Sequence, residues 1–311
     1  MCIASAASLL AAGTVMAQEQ HFPDLSSDNP ENLPLSETRV GVQNVVSLLE
    51  KIQPAHAADE NLWFRSPSVF SEYTYTDTFD KRADGFTSHM RNGTVGLNFL
   101  TICDVAMSLM GTYGGTAADT DTPGHIVNNA DTYGLTLSAA KNIDWFLMGA
   151  SASYNDGYSH THTPSGNIKK DLSDGTTIAP FVGAMYVNGN LSLSTVPTYM
   201  FGWNHMDYDS TGPTTSDDHA MQQTFVWMNT ASYNVSEQVT VGVVANWNRV
   251  THVKKSLTVP PVPADREWVT LGPKVAYHFS PDLSVYASCN KDIFSSSFRT
   301  LQAVAGLNYG F

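Results

Sequence analysis

Ser159-His160-Thr161-His162 is the densest run of chemically capable side chains in the 311 residues. Two His at i and i+2 on an extended segment share one side and could hold a metal ion. No third ligand stands at metal-binding spacing, so the run reads as a solvated polar segment within 156–176. Asp207, Asp209, Asp217, Asp218 and His219, near Trp203, supply the Asp and His types of a hydrolytic centre. Any acidic loop supplies them as well. Cys103 and Cys289 fit no metal spacing and read as free thiols. No catalytic, metal-binding or cofactor-binding residue is assigned, and the chain reads as a non-enzyme.

Other polar groups invite weaker readings. The Asp-rich stretches 117–131 and 205–219 could bridge to lipopolysaccharide through divalent cations, but ordinary solvated acidic loops have the same composition. Glu72, Lys274 and His278 fall where a lumen would be. Lys254-Lys255 followed by Val259-Pro260-Pro261-Val262-Pro263 reads as a stiff exposed loop.

Composition narrows the choice of frame for these residues. Lys and Arg number 16 against 29 Asp and Glu, a net charge of −13. That balance excludes a nucleic-acid partner, which needs clustered cations. Charged residues are only 14% of the chain, low for a soluble domain. Residues 1–17 have a small-residue apolar centre and end in Val15-Met16-Ala17, the pattern of a signal peptide, although no Lys or Arg precedes Arg39. Residues 18–34 read as a polar linker. No run of about 18 apolar residues follows.

Residues 35–54 hold one helix. Ser36 caps it, Leu35 can staple onto Val40, and Pro54 ends it. Val42, Val45, Val46, Leu49 and Ile52 make a single apolar stripe.

From residue 61 to 311 the period is two. Twelve alternating segments are joined alternately by tight turns (102–104, 142–144, 188–190, 235–237, 280–282) and long polar loops (77–87, 115–130, 156–176, 205–220, 251–266, 291–297). This is the rhythm of a transmembrane β-barrel. The fold class is therefore all-β, a closed antiparallel transmembrane β-barrel of about 12 strands with an N-terminal lumen helix. One face carries Val95, Leu97, Phe99, Leu135, Leu137, Val241, Val243, Leu271 and Val275, with no charge at mid-strand. A Lys or Arg at a bilayer midplane costs roughly 2–4 kcal/mol. The other face reads Thr94, Asn98, Thr112, Thr136, Ser138, Thr198, Asn246 and Thr270, as a wet lumen should.

Aromatic residues gather near strand ends, among them Tyr75, Tyr113, Tyr154, Trp203, Tyr277 and Tyr309, as interfacial girdles do. A soluble β-sandwich shares the alternation but explains neither the girdles nor the loop rhythm. Pro180, Pro197 and Pro273 sit awkwardly in a closed barrel, which has no free edge, and imply bulges.

Several lumen positions are unexpectedly apolar: Leu147, Phe181, Met185, Val196, Met200, Val226, Met228 and Val244. A water-filled pore has no use for them. They are expected to bury the stripe of the helix, at about 25 cal/mol per Å² of apolar surface.

Leu62-Trp63-Phe64-Arg65 opening the first strand, the helix before it, twelve strands and a terminal Phe together resemble the autotransporter β-domain, the translocator of type V secretion. The resemblance covers residues 35–311. It implies a bacterial outer-membrane protein that is a translocator or surface anchor, with long loops extracellular and short turns periplasmic. In that family the helix runs through the pore and joins a passenger to the barrel. The final strand, with Leu307, Tyr309 and Phe311 on one face, is similar to the assembly signal of outer-membrane proteins. It implies the barrel-assembly machinery as a partner, beside outer-membrane lipid and lipopolysaccharide.

Two features depart from the family. Residues 18–34 are too few for a passenger. The helix holds a lone Asn44 followed by Val45 where self-cleaving members often have paired Asn. A passive pore or structural barrel is the alternative reading, and a barrel hydrolase a remoter one. Outer-membrane phospholipase uses a His-x-Ser pair, whereas here His162 is followed by Thr163-Pro164.

Overall fold

A computed structural model describes residues 35–52, 64–80, 86–101, 103–120, 127–162, 168–209, 217–255, 267–294 and 298–311. The expected signal peptide and linker, Ile102, and the Leu62-Trp63 pair lie outside the described residues.

The helical stripe forms α1, Leu35–Ile52. The alternating segments form β1 (Phe64–Asp80), β2 (Phe86–Thr101), β3 (Val105–Thr120), β4 (Val127–Ile143), β5 (Phe146–His162) and β6 (Ile168–Asn188). They continue as β7 (Leu191–Asp209), β8 (Asp217–Asn234), β9 (Val239–Lys255), β10 (Glu267–His278), β11 (Leu283–Asp292) and β12 (Phe298–Gly310). Each strand pairs antiparallel with its sequence neighbours. β12 pairs with β1, from Ser68↔Gly310 to Asp80↔Phe298, so the barrel is closed and no edge remains. The Phe311 amide donates to the Pro67 carbonyl at 3.1 Å, so even the terminal residue is tied to the seam.

The tight turns fall where expected. Asp104 (φ 58°), Asp144 (φ 57°) and Gly189 (φ 56°) are left-handed, a conformation that Asp and Gly tolerate best in two- and three-residue reversals.

The long connections need correction. Strand pairing continues well into most of the stretches read as loops: Val127 pairs with His162, Lys170 with Asp209, and Asp207 with Asp217. Ser159-His160-Thr161-His162 therefore ends β5 rather than sitting in a loop. The reason is physical. Beyond the hydrocarbon both faces of a strand meet polar surroundings, so the period-two signal fades while the backbone ladder goes on. A strand needs only about 9–11 residues to cross a bilayer, and β6 has 21.

The three prolines do not sit at the bulges expected of them; the register is unshifted, and only ladder pairs are missing beside them. The β6–β7 pairing passes from Ile178↔Phe201 to Phe181↔Thr198 and then to Ala184↔Thr195, leaving out both Pro180 and Pro197. The β10–β11 pairing passes from Leu271↔Lys291 to Lys274↔Ser288, leaving out Pro273. A residue without an N–H is tolerated where the ladder already opens.

Side-chain alternation follows the register. Val95 is 64% exposed and Leu135 51%, while Thr94 and Thr136 are buried. Cys103 is disulfide-bonded, which corrects the expectation of a free thiol there. Cys289, exposed on β11, is free. β12 and β1 separate it from the turn that carries Cys103.

Candidate functional site

The site is the barrel lumen. α1 lies inside it, packed chiefly against β4 and β3 and then β5, β6 and β2. Its direction follows from two contacts. Thr38 Oγ1 is 2.9 Å from Ser153 Oγ. Three residues later, Gly41 lies against Ser138 and Ser151, two residues nearer the tight-turn end of β5. The N-terminal end of the helix therefore points towards the long-loop opening.

Gly41 is what allows so close an approach. A Cβ there would collide with Ser138 Oγ, and Ser138 and Ser151 are themselves hydrogen-bonded at 2.7 Å. Asn44 Nδ2 reaches Met110 Sδ at 3.9 Å.

The apolar stripe lies in one buried cluster. Val42, Val45, Val46 and Leu49, with Leu48, meet Leu147, Phe181, Met185, Val196, Met200, Val226 and Met228. Leu100, Ala106, Ala140 and Ala179 complete it. Val244 is buried nearby but lines the cavity beside the helix rather than this cluster. The side chain of Ile52 lies outside the described residues. The sequence reading omitted Leu48 and the small wall residues, because alanine at a lumen position carries no marked signal.

On the far side of the helix is a cavity of about 480 Å³. Phe70, Glu72, Lys274, Tyr286 and Gln302 line it, with Arg39 on the helix. The Tyr286 hydroxyl donates to Glu72 Oε2 at 2.6 Å, and the Thr74 hydroxyl donates to Oε1 at 3.4 Å. Lys274 Nζ stands 5.4 Å from the Tyr286 ring centroid. Arg39 Nη2 donates to Gln302 Oε1 at 3.5 Å. Two of the candidate lumen charges thus meet through a tyrosine that sequence reasoning missed. His278 stands apart, against Thr240 at 3.1 Å.

Tyr286 on β11 reaches Glu72 on β1 by lying across β12 at Gly306, the register partner of both. A Cβ at Gly306 would strike the Tyr286 ring. The available signal was an aromatic residue at a lumen position facing a glycine.

Elsewhere the wall suits water. Both polar atoms of the Asn155 side chain lack protein partners, as do Asn246 Oδ1 and Asn248 Nδ2.

Among the described residues no hydrolytic constellation is assembled. Ser159 is buried on the lumen side, while His160 faces outward and packs edge-on against Tyr158, ring centroids 5.6 Å apart. His219 stacks on His205 at 4.9 Å on the outer face, and His205 Nδ1 is 3.0 Å from Asp174. The side chains of His162, Asp207, Asp209, Asp217 and Asp218 lie outside the described residues.

The outer face is apolar and belted with aromatic rings. Tyr113 and Tyr133 meet at 5.2 Å towards the loop end, and Tyr277 meets Phe279 at 4.8 Å at the turn end. Leu307, Tyr309 and Phe311 are all exposed on the outer face of the last strand.

Comparisons with known proteins place this fold. A family model described as "Putative MetA-pathway of phenol degradation" matches residues 157–303. Curated protein sequences give no match. The translocator domain of the autotransporter NalP from Neisseria meningitidis superposes with TM-score 0.66 at 11% identity, over 89% of this chain and 96% of that one. The transport unit of the autotransporter AIDA-I from Escherichia coli gives 0.62 at 14% identity, over 87% and 98%. An outer-membrane channel from Pseudomonas putida F1 gives 0.53 at 12%, over 83% and 100%. In fold the chain is similar to autotransporter translocator domains, as its sequence resemblance implied.

Proposed function

We propose that this chain is an outer-membrane barrel of the autotransporter-translocator kind, acting as translocator or surface anchor. Its lumen is plugged by α1, and it catalyses no reaction. The long loops face the cell exterior and the short turns the periplasm. The observation that carries this reading is the placement of the helix. A buried apolar cluster holds it against β3 to β6, with its N-terminal end aimed at the long-loop opening. Any polypeptide joined ahead of Leu35 would be delivered to that side and anchored there. The exposed apolar belt suits hydrocarbon, and the terminal strand suits recognition by the assembly machinery. Likeness of fold to NalP and AIDA-I supports the same reading.

A channel for small molecules is the second reading. The cavity beside the helix, the match to the phenol-degradation family model and the likeness to the Pseudomonas putida channel favour it. The two readings differ in what the helix does. Planar-bilayer recordings on the barrel with residues 35–52 deleted separate them. The plug reading expects a small current from the full chain and a several-fold larger one from the deletion. Equal currents would refute the plug and leave the channel.

A further inference from the structure

Exposed cations gather along one arc of the barrel's outer face. Around the loop-side rim from β9 through β12 and β1 to β2, the outward positions hold Arg249, Lys291, Arg299 and Arg91, all exposed. Among the described residues none of these four makes a hydrogen bond or ion pair. The acids of this arc are both engaged. Glu267, the register partner of Arg249, accepts from Trp247 Nε1 at 2.8 Å, and Asp77 pairs with His89 at 3.0 Å. From β3 to β8 the outward loop-side positions hold Asp131, Asp156 and Asp174 with His160, His205 and His219. Lys170 also stands at an outward loop-side register position there, opposite His160 and Asp209. In a chain of net charge −13, four exposed cations with no partner among the described residues on one arc are unexpected for a merely solvated rim.

The strand register sets their spacing. Lys291 faces Leu301 of β12 and Leu271 of β10. Arg299 is two residues beyond Leu301, so it is the diagonal neighbour of Lys291, about 7–8 Å away. Arg299 itself faces Phe79, and Arg91 faces Tyr75. Leu271, Leu301 and Phe79 are exposed. Each cation therefore stands beside apolar surface at the rim, where an acyl chain would lie under a headgroup. Arg presents a planar fork that fits phosphate in a bidentate manner, and Lys adds a point charge.

We infer that the β9–β2 arc, with Lys291, Arg299 and Arg91 at its centre, is a docking surface for the phosphates of lipopolysaccharide. The inference rests on the outer-membrane reading and adds to it a specific face and specific residues. Lipid phosphate is expected to gather on that face of the barrel.

The test uses the folded full chain in detergent micelles. Binding of lipopolysaccharide is compared for the natural protein and for the R91Q/K291Q/R299Q variant, with folding checked by heat-modifiable mobility on gels. The variant is expected to bind about a hundredfold more weakly, from the contribution of each cation near an anionic surface. The natural protein is expected to lose affinity similarly for dephosphorylated lipopolysaccharide, an arm that needs no variant. Equal affinities in both comparisons overturn the proposal. So does displacement by equimolar inorganic phosphate, which would mark a free-anion site. A dimer that the triple substitution abolishes, seen by light scattering, also overturns it in favour of a second copy docking its β3–β8 arc. Should the chain fold without any amphiphile, the outer-membrane reading fails first, and the gel assay reveals that separately.

Discussion

Gly41 and Gly306 matter because of what lies over them. At Gly41 the helix backbone rests on the Ser138–Ser151 pair of the barrel wall. Replacing it with valine forces the helix away, since overpacking a close contact costs about 1–3 kcal/mol. Gly41→Val is expected to raise single-channel current relative to the natural chain while leaving the folded gel band intact. Tyr286 makes a different kind of contact, because it ties β11 to β1 across the seam through Glu72. Tyr286→Phe leaves that carboxylate without its shortest partner, a loss of about 1–3 kcal/mol. The expected readout is a lower temperature for conversion of the folded to the unfolded gel band. An unchanged conversion temperature would mean that the hydrogen bond contributes nothing to closure. Glu72 was legible as a lumen charge, but its meeting with Tyr286 over Gly306 was not. Residues 72, 286 and 306 become neighbours only when the first strand meets the last, and no local pattern reports a pairing over such separation.

The elements divide into those the sequence announced and those it blurred. The apolar stripe of α1 and the apolar lumen positions were legible because both break a local expectation: a helix that needs a partner, and a wet wall with grease on it. The tight turns were legible because Asp and Gly mark left-handed positions. The loop-side ends of the strands were not. His160 and Asp209 sit on strands whose two faces are both polar, so alternation gave no warning that pairing continues. The prolines pointed to bulges, and no bulge is there: the register runs unshifted past Pro180, Pro197 and Pro273, with only ladder pairs missing on one side of each. The packing of helix on wall can be weakened without touching the exterior. Phe181→Ala combined with Met200→Ala removes two large members of the cluster that buries Val42 and Val45. Such truncations cost about 2–5 kcal/mol each where they leave a cavity. Limited proteolysis is expected to cut within 35–52 in the double variant while the strands stay protected. Equal resistance of the helix in both proteins would mean that this cluster does not hold it.

At the scale of the whole molecule, one sidedness organises everything else. Apolar side chains cover the outside, hydroxyls and amides line the inside, and the helix fills one flank of the hollow. Similarity to translocators and channels at 11–14% identity is what such an organisation allows, since it constrains residue class at each position and hardly constrains identity. The sidedness can be read directly with single cysteines in a Cys2→Ser, Cys103→Ser, Cys289→Ser background of the folded chain in lipid vesicles. Fluorophores would be attached at Val95 and Leu135 and, on the lumen side, at Thr94 and Ala276, both of which line the cavity. Acyl-chain nitroxides are then compared with a water-soluble quencher. The account predicts that labels at 95 and 135 are quenched from the hydrocarbon, while labels at 94 and 276 are not and respond to the aqueous reagent. Loss of that alternation, with all four labels shielded from lipid, would contradict it.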